Sequence, residues 1–322
     1  MLTKGRALVL NLLVVLCWSL VPVMIRYTRD FFPVSFQNFF RYFVSLLVIW
    51  PFFTLTRPAA ASSAGRGLKA GPGGGTRIPG LLFKLLIIAA ASFVFQVGFT
   101  TSLYLVDPTF VVLIQRSGLF FSVILAAFLF PDERALLKRR GFQAALAGAV
   151  AGMALVVLGG RALGSIGLSS GVLLVLISSL SWSLLSVLVK RWLPTVPASF
   201  ALSMVFTITT PFFLLVYLLS GGTGGQVIPA APPGMWMVLS ASGLIGVAIG
   251  QSFYYKSIPV LGVATAASLD LLRPFVVGIF SFFLFHERLT PLQLAGGLLL
   301  MACSYLVIRL RFRGVSRGAS RA

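Results

Sequence analysis

Residues 13–36 read LVVLCWSLVPVMIRYTRDFFPVSF, and residues 176–200 read LISSLSWSLLSVLVKRWLPTVPASF. At one spacing of 164, Trp18 matches Trp182, Ser19 matches Ser183, Arg26 matches Lys190, Pro33 matches Pro197 and Phe36 matches Phe200. An ordered set of matches at a single spacing marks a duplication. Further along, Tyr104-Leu105-Val106-Asp107-Pro108 echoes Tyr255-Lys256-Ser257-Ile258-Pro259, and Glu133-Arg134 echoes Glu287-Arg288. The spacing there shortens to 151 and 154, because the long connection at 56–80 has no equivalent in the second copy. The copies are expected at 1–160 and 161–322, the second ending in a basic tail.

Each copy is a series of apolar runs. Segments of spanning length fall at about 7–26, 36–55, 81–105, 109–131, 141–159, 170–190, 198–219, 235–256, 263–285 and 291–310. About 20 apolar residues cross a hydrocarbon core, whereas a barrel strand alternates over about ten. Hydrophobic residues make up 58% of the chain and charged residues only 10%, outside the range of soluble domains. The expected fold class is an all-α membrane protein with ten transmembrane helices. Five helices per copy is an odd number, so the second copy must enter the membrane upside down, giving inverted-topology repeats. The first run lacks a small-x-small cleavage site and reads as a true helix, not a signal peptide. Residues 56–80 are rich in Gly, Ala and Pro and read as a flexible linker.

The formal net charge of +20 could suggest nucleic acid, but the basic residues sit in short connections between apolar runs and do not gather on a water-soluble face. They read as topology. With the N-terminus cytoplasmic, nineteen Lys and Arg fall on that side and only Arg26, Arg29, Arg161 and Arg288 on the other. By the positive-inside rule both termini are expected in the cytoplasm. Arg26 and Arg29 run against the rule.

Charge inside a span is expensive, about 2.5–3.5 kcal/mol per Arg or Asp on insertion scales, and usually faces a bundle interior or a wet cavity. The ninth span holds Asp270 and Arg273 in the run VATAASLDLLRPFVVGIFSFFLF. Three residues apart, they share a helix face and can pair or meet a solute. Pro274 has no N–H, so the carbonyl of Asp270 one turn back loses its usual donor. Arg116, in the fourth span, has no carboxylate within a turn and is expected either to pair across the bundle, with Asp107 or Asp270, or to meet an anionic solute. Arg41, near the start of the second span, can be satisfied by snorkelling to the interface. Trp18 and Trp182 lie mid-span, away from the interfacial belt, and must satisfy their indole N–H inside the protein. Together with Gln96, Gln251 and Tyr254 they are candidates to line a cavity. Glu133 and Glu287 stand at helix ends, where pairing with a nearby Arg is the simpler role, and His286, the one histidine, also lies at an end. Small residues gather in the fifth and tenth spans, from Ala144 to Gly152 and from Ala295 to Ala302, and favour close helix packing, with dimerisation through such a face left open.

No enzyme constellation is visible. The chain has one His, two Cys at positions 17 and 303, no Gly-rich phosphate loop and six scattered carboxylates, which offers neither a zinc site nor a clustered acid–base set, and no cofactor is expected.

The Trp18-Ser19 and Trp182-Ser183 pairs, Pro33 with Phe36 and Arg41, the aromatic-small-Pro steps before the fourth and ninth spans, and the Glu-Arg endings at Glu133-Arg134 and Glu287-Arg288 resemble the EamA family of the drug/metabolite transporter superfamily. Glu287 is followed by Gln293 and Gly296 at the spacing that family favours. Gln143 stands four residues further from Glu133, through the basic insert Lys138 to Arg140, and Cys303 stands where a small residue is usual. The resemblance implies ten helices in two inverted halves and a secondary active transporter of the inner membrane, mostly exporting amino acids or other small polar metabolites by alternating access, often coupled to a proton or ion. Its expected core is Arg116, Asp270 and Arg273. Three intramembrane arginines against one carboxylate also suit a phosphorylated or nucleotide-like anion, and a non-transporting scaffold or lipid-handling protein is the alternative from another class.

Overall fold

The computed structural model describes residues 3–55, 78–130, 134–159, 170–192, 198–220, 230–261, 266 and 269–319, and among these there are helices and turns but no strand. The helices of the first half are α1 (Lys4–Tyr27), α2 (Val34–Leu55), α3 (Ile78–Leu105), α4 (Pro108–Gln115), α5 (Gly118–Leu129), the short α6 (Arg134–Leu137) and α7 (Arg140–Gly159). Those of the second half are α8 (Ser170–Trp192), α9 (Ala198–Leu219), α10 (Pro233–Gly243), α11 (Gly250–Leu261), α12 (Arg273–Phe285) and α13 (Pro291–Ala319), with a π-helical turn, Leu244–Ile249, joining α10 to α11. Most of the expected linker, with Glu133 and Arg161, lies outside the described residues. Among the described residues seven helical stretches are long and apolar enough to cross a membrane, and Ser203–Leu219 and Arg273–Phe285 are shorter apolar helices. The all-helical, membrane-type class read from composition is what the chain adopts.

Two of the long stretches, and the approach to one of the shorter helices, are interrupted. Between α4 and α5 the chain tightens at Arg116–Ser117, where the N–H groups of Arg116 and Ser117 donate back three residues, to Leu113 and Ile114. Before α12 a turn at Leu271–Leu272 breaks the helix, because Pro274 supplies no N–H. The π turn at Leu244–Ile249 widens the third. Irregular backbone inside an apolar bundle is tolerated where protein groups or a cavity satisfy it. Accordingly, Ser183 Oγ donates to the Gly118 carbonyl at 2.7 Å, and Ser19 Oγ lies 3.4 Å from the Arg273 carbonyl.

The helices pack across the two halves. The first helix of the first half, α1, lies against α11 and α12, while its counterpart α8 lies against α3 and α5; α2 pairs with α9, and α7 pairs with α13. The α7–α13 contact explains the small residues. A Cβ on Gly152 would stand 2.8 Å from the Gly296 carbonyl oxygen, and one on Gly296 would stand 2.6 Å from the Gly152 carbonyl oxygen. Cys303 fills the space beside Gly148, where a Cβ would meet its Sγ at 2.6 Å. Backbones this close gain from packing that larger side chains would prevent.

The bundle has two unlike ends. At one, Arg191 donates to the Leu129 carbonyl at 2.9 Å and Arg139 to the Leu310 carbonyl at 3.3 Å, which gathers the ends of α5 and α8, the start of α7 and residue 310 of α13. At the other, Arg26 Nη1 donates to the carbonyls of Leu103 and Tyr104, both at 2.9 Å, with Asp107 3.5 Å from its Nη2, and Arg29 donates to the Tyr104 carbonyl at 3.2 Å. The last carbonyls of a helix lack intrahelical donors, and guanidinium groups satisfy them while opposing the negative end of the dipole. That role accounts for two arginines placed against the positive-inside rule. At this end, too, the Tyr104 hydroxyl donates to the Phe32 carbonyl.

Glu287 does not pair with an arginine as expected. It accepts from Thr109 Oγ1 at 2.8 Å, at the start of α4, where the Asp107 side chain makes no cap bond. A carboxylate there favours the positive end of the helix. Burial nevertheless pushes the Glu287 carboxyl above its usual range, against the hydrogen bond from Thr109.

Two outcomes follow from this packing. Gly152→Val and Gly296→Val should each lower the thermal stability of the purified chain by about 1–3 kcal/mol through overpacking against backbone, and unchanged unfolding curves would contradict the α7–α13 geometry. Since folding favours the protonated Glu287, its contribution is complete at low pH and is lost as pH rises through the raised value. Over a pH series the wild type should lose stability relative to Glu287→Gln as pH climbs above the usual carboxylate range; parallel curves would count against the buried carboxyl.

Candidate functional site

A cavity of about 430 Å³ lies between the helices, bordered by Trp18 and Arg41 from the first half and by Gln251, Tyr254 and Arg273 from the second. It is the size of an ordinary small-ligand site, about 300–1,000 Å³. All eight residues singled out from sequence, Arg116, Asp270, Arg273, Trp18, Trp182, Gln96, Gln251 and Tyr254, border it. It extends past Ser186, Ser304 and Ile308, toward the end where Arg191 and Arg139 hold the helices together.

Its centre is an ion pair across the two interrupted helices. Arg116 Nη1 lies 2.6 Å from Asp270 Oδ2 and also donates to the Asp270 backbone carbonyl at 3.2 Å. The second bond fills the gap that Pro274 creates, since that carbonyl has lost its donor one turn on. Of the two carboxylates the sequence offered Arg116, Asp107 and Asp270, the geometry takes Asp270; with the turn at 271–272 between them, Asp270 reaches across the bundle to Arg116 in place of pairing with Arg273. Arg273 instead stands with Cζ 6.0 Å from the Trp18 ring centre, a cation–π distance, and its Nε has no acceptor among the described residues.

Trp18 is fixed from the other side. Its indole Nε1 donates to the Gly246 carbonyl at 3.1 Å, within the π turn, and its ring lies 5.1 Å from Tyr254. Gly250 makes room for it, as a Cβ there would sit 2.7 Å from Nε1. Trp182 packs on Phe95 with centroids 4.9 Å apart. Gln96 belongs to a network: its amide donates to Asn38 Oδ1 at 3.3 Å and Thr100 Oγ1 at 3.2 Å, and its oxygen accepts from the Tyr42 hydroxyl at 3.4 Å. The protein already uses most of its bonding capacity. Gln115 has a buried oxygen without a donor among the described residues.

Arg41 overturns an expectation. It does not snorkel; it is 2% exposed, and its Nε and Nη1 have no acceptor among the described residues. The reason is the contact between α2 and α10, where a Cβ on Gly243 would stand 2.6 Å from the Arg41 carbonyl oxygen, and Ser45 Oγ bridges the carbonyls of Arg41 and Gly243. A signal was present. Gln37, Arg41 and Ser45 are four residues apart, all buried, and form one polar stripe on α2 that an interfacial helix would turn outward.

A sequence model of the EamA-like transporter family matches residues 169–309. No curated protein matches the chain. Among solved structures, one titled "Crystal structure of protein" aligns over 96% of this chain and 98% of its own at a TM-score of 0.59 and 19% sequence identity, a likeness of fold alone. Over residues 169–309, then, this membrane-type chain is similar to the EamA-like transporter family.

Proposed function

We propose that the chain is a secondary active transporter that moves, in the export direction, a small polar metabolite such as an amino acid across the inner membrane by alternating access. In this reading ten helices cross the bilayer as two inverted five-helix repeats, 1–160 and 161–322, with both termini cytoplasmic. The observation that carries it is the cavity itself: a mostly apolar space within the bundle, bordered by the charged groups of Arg116, Asp270 and Arg273 at two helix breaks. Buried charge at broken helices between two repeats is the arrangement in which such proteins hold solutes.

The contacts support the repeat. Trp18 meets Gly246 and Trp182 meets Phe95, so that residues 164 apart touch partners 151 apart, each in the opposite half. Ser19 and Ser183 likewise reach the backbone at the interruption of the ninth and the fourth stretch. A helix exchanged between halves ties each half to the other, and rocking one against the other would expose the shared cavity alternately. The cavity extends toward the basic end, while Arg26, Arg29, Tyr104 and Glu287 knit the opposite end. We read this as the state facing the cytoplasm.

Counterflow of labelled amino acids in proteoliposomes tests the site. Arg273→Ala and Asp270→Asn should each abolish it; flux that survives both would reject the assignment. Asp270→Asn also leaves Arg116 buried without a counter-charge, a loss of about 3–5 kcal/mol. Adding Arg116→Gln should recover much of that stability without recovering flux, and recovery of both would reduce the pair to a structural role. For orientation, Ser186→Cys in a background lacking Cys17 and Cys303 should react with a membrane-impermeant maleimide from the cytoplasmic face, and labelling from the outer face alone would reverse the topology.

A further inference from the structure

Three guanidinium groups and one carboxylate border the cavity among its described residues, and the bonds the protein makes with itself do not use them evenly. Asp270 is committed to Arg116, which takes its Oδ2 and its backbone carbonyl. Arg41 is left fully buried, with two of its three nitrogens lacking an acceptor among the described residues. Arg273 has Trp18 under its face, but its Nε has no acceptor among them either. A guanidinium keeps its proton at any physiological pH, so neither group can escape burial by becoming neutral.

We infer that the transported solute is a small dicarboxylate, with one carboxylate held by Arg41 and the other by Arg273; this rests on the reading of the cavity as a transport site. Two further groups shape the class. Asp270 Oδ1 and Gln115 Oε1 are buried acceptors without donors among the described residues, and they suit an ammonium or hydroxyl on the solute, as in an acidic amino acid or a hydroxy-diacid. The two cations also stand on different elements in different company. Arg41 projects from α2 beside Tyr42 and Tyr104, and Arg273 begins α12 beside Asp270 and Arg116. Two separate cations fit two carboxylates better than one doubly charged phosphate. A guanidinium meets a carboxylate through paired hydrogen bonds, which gives geometric selection as well as charge. An amide in place of the carboxylate would leave an arginine buried with a poorer partner, and sites built around a polar group discriminate strongly against analogues that lack it.

The test compares each diacid with its own monoamide. The purified full-length chain is titrated calorimetrically with succinate and succinamate, and with glutamate and glutamine, at fixed ionic strength. At least one diacid should bind tenfold or more tightly than its monoamide. Arg41→Gln should erase that ratio by weakening the diacid and leaving the monoamide unchanged, and Arg41→Lys should keep part of it. Equal binding of both members of each pair by the wild type, or a ratio that Arg41→Gln leaves intact, overturns the inference. If Arg41→Gln does not fold, the wild-type ratio and Arg41→Lys decide alone. Counterflow in proteoliposomes separates this from the transport reading: a diacid that binds with the expected ratio but is not moved defeats transport and leaves the anion site standing. Counterflow of glutamine or alanine without preference for a diacid does the reverse.

Discussion

The bond from Arg116 to Asp270 holds the middle of this molecule together. It joins the turn between α4 and α5 to the residue just before the turn at Leu271–Leu272 that precedes α12, across two stretches far apart in the chain. Pro274 makes the bond necessary, because it strips a donor from a carbonyl deep in an apolar bundle. Arg116 answers with one nitrogen on that carbonyl and on the carboxylate of the same residue. With that carboxylate occupied, Arg41 and Arg273 form no ion pair among the described residues, and the charge of the site follows from that shortage.

The frame around the bond is helix packing between parts of the chain far apart in sequence: α1 lies against α11 and α12, α8 lies against α3 and α5, and Trp18 and Trp182, one from each of α1 and α8, both border the cavity. Their surroundings differ. Trp18 is anchored by a carbonyl in a π turn and faces an arginine, whereas Trp182 packs on a phenylalanine in an apolar cluster.

Much of this was legible in the chain. Hydropathy announced the helices, because it is a property of residues near one another in the chain. The residues nominated from charge, indole and amide in mid-span do border one cavity, since the expense of burying them leaves few other places for them. Sequence left the choice of partners open: Arg116 could pair with Asp107 or Asp270, and Asp270 with Arg273 at a spacing of three, and it is the folded chain, turning at 271–272, that joins Arg116 to Asp270. Arg41 was misplaced for a related reason: distance along a helix was used as a measure of depth, when the stripe Gln37, Arg41, Ser45 pointed to a buried face. The Arg26 and Arg29 caps depend on where α3 ends in space, which no local pattern records.

Those caps bear on how the chain is made. The first helix carries Lys4 and Arg6 at one end and Arg26 and Arg29 at the other, so on its own it presents the insertion machinery with a tie. Asp30 lies 3.3 Å from Arg29 in the same turn, but Arg26 meets its carbonyl acceptors only where the end of α3 lies beside it. The charge at the far end of α1 is therefore matched by the packed bundle and not by the helix alone.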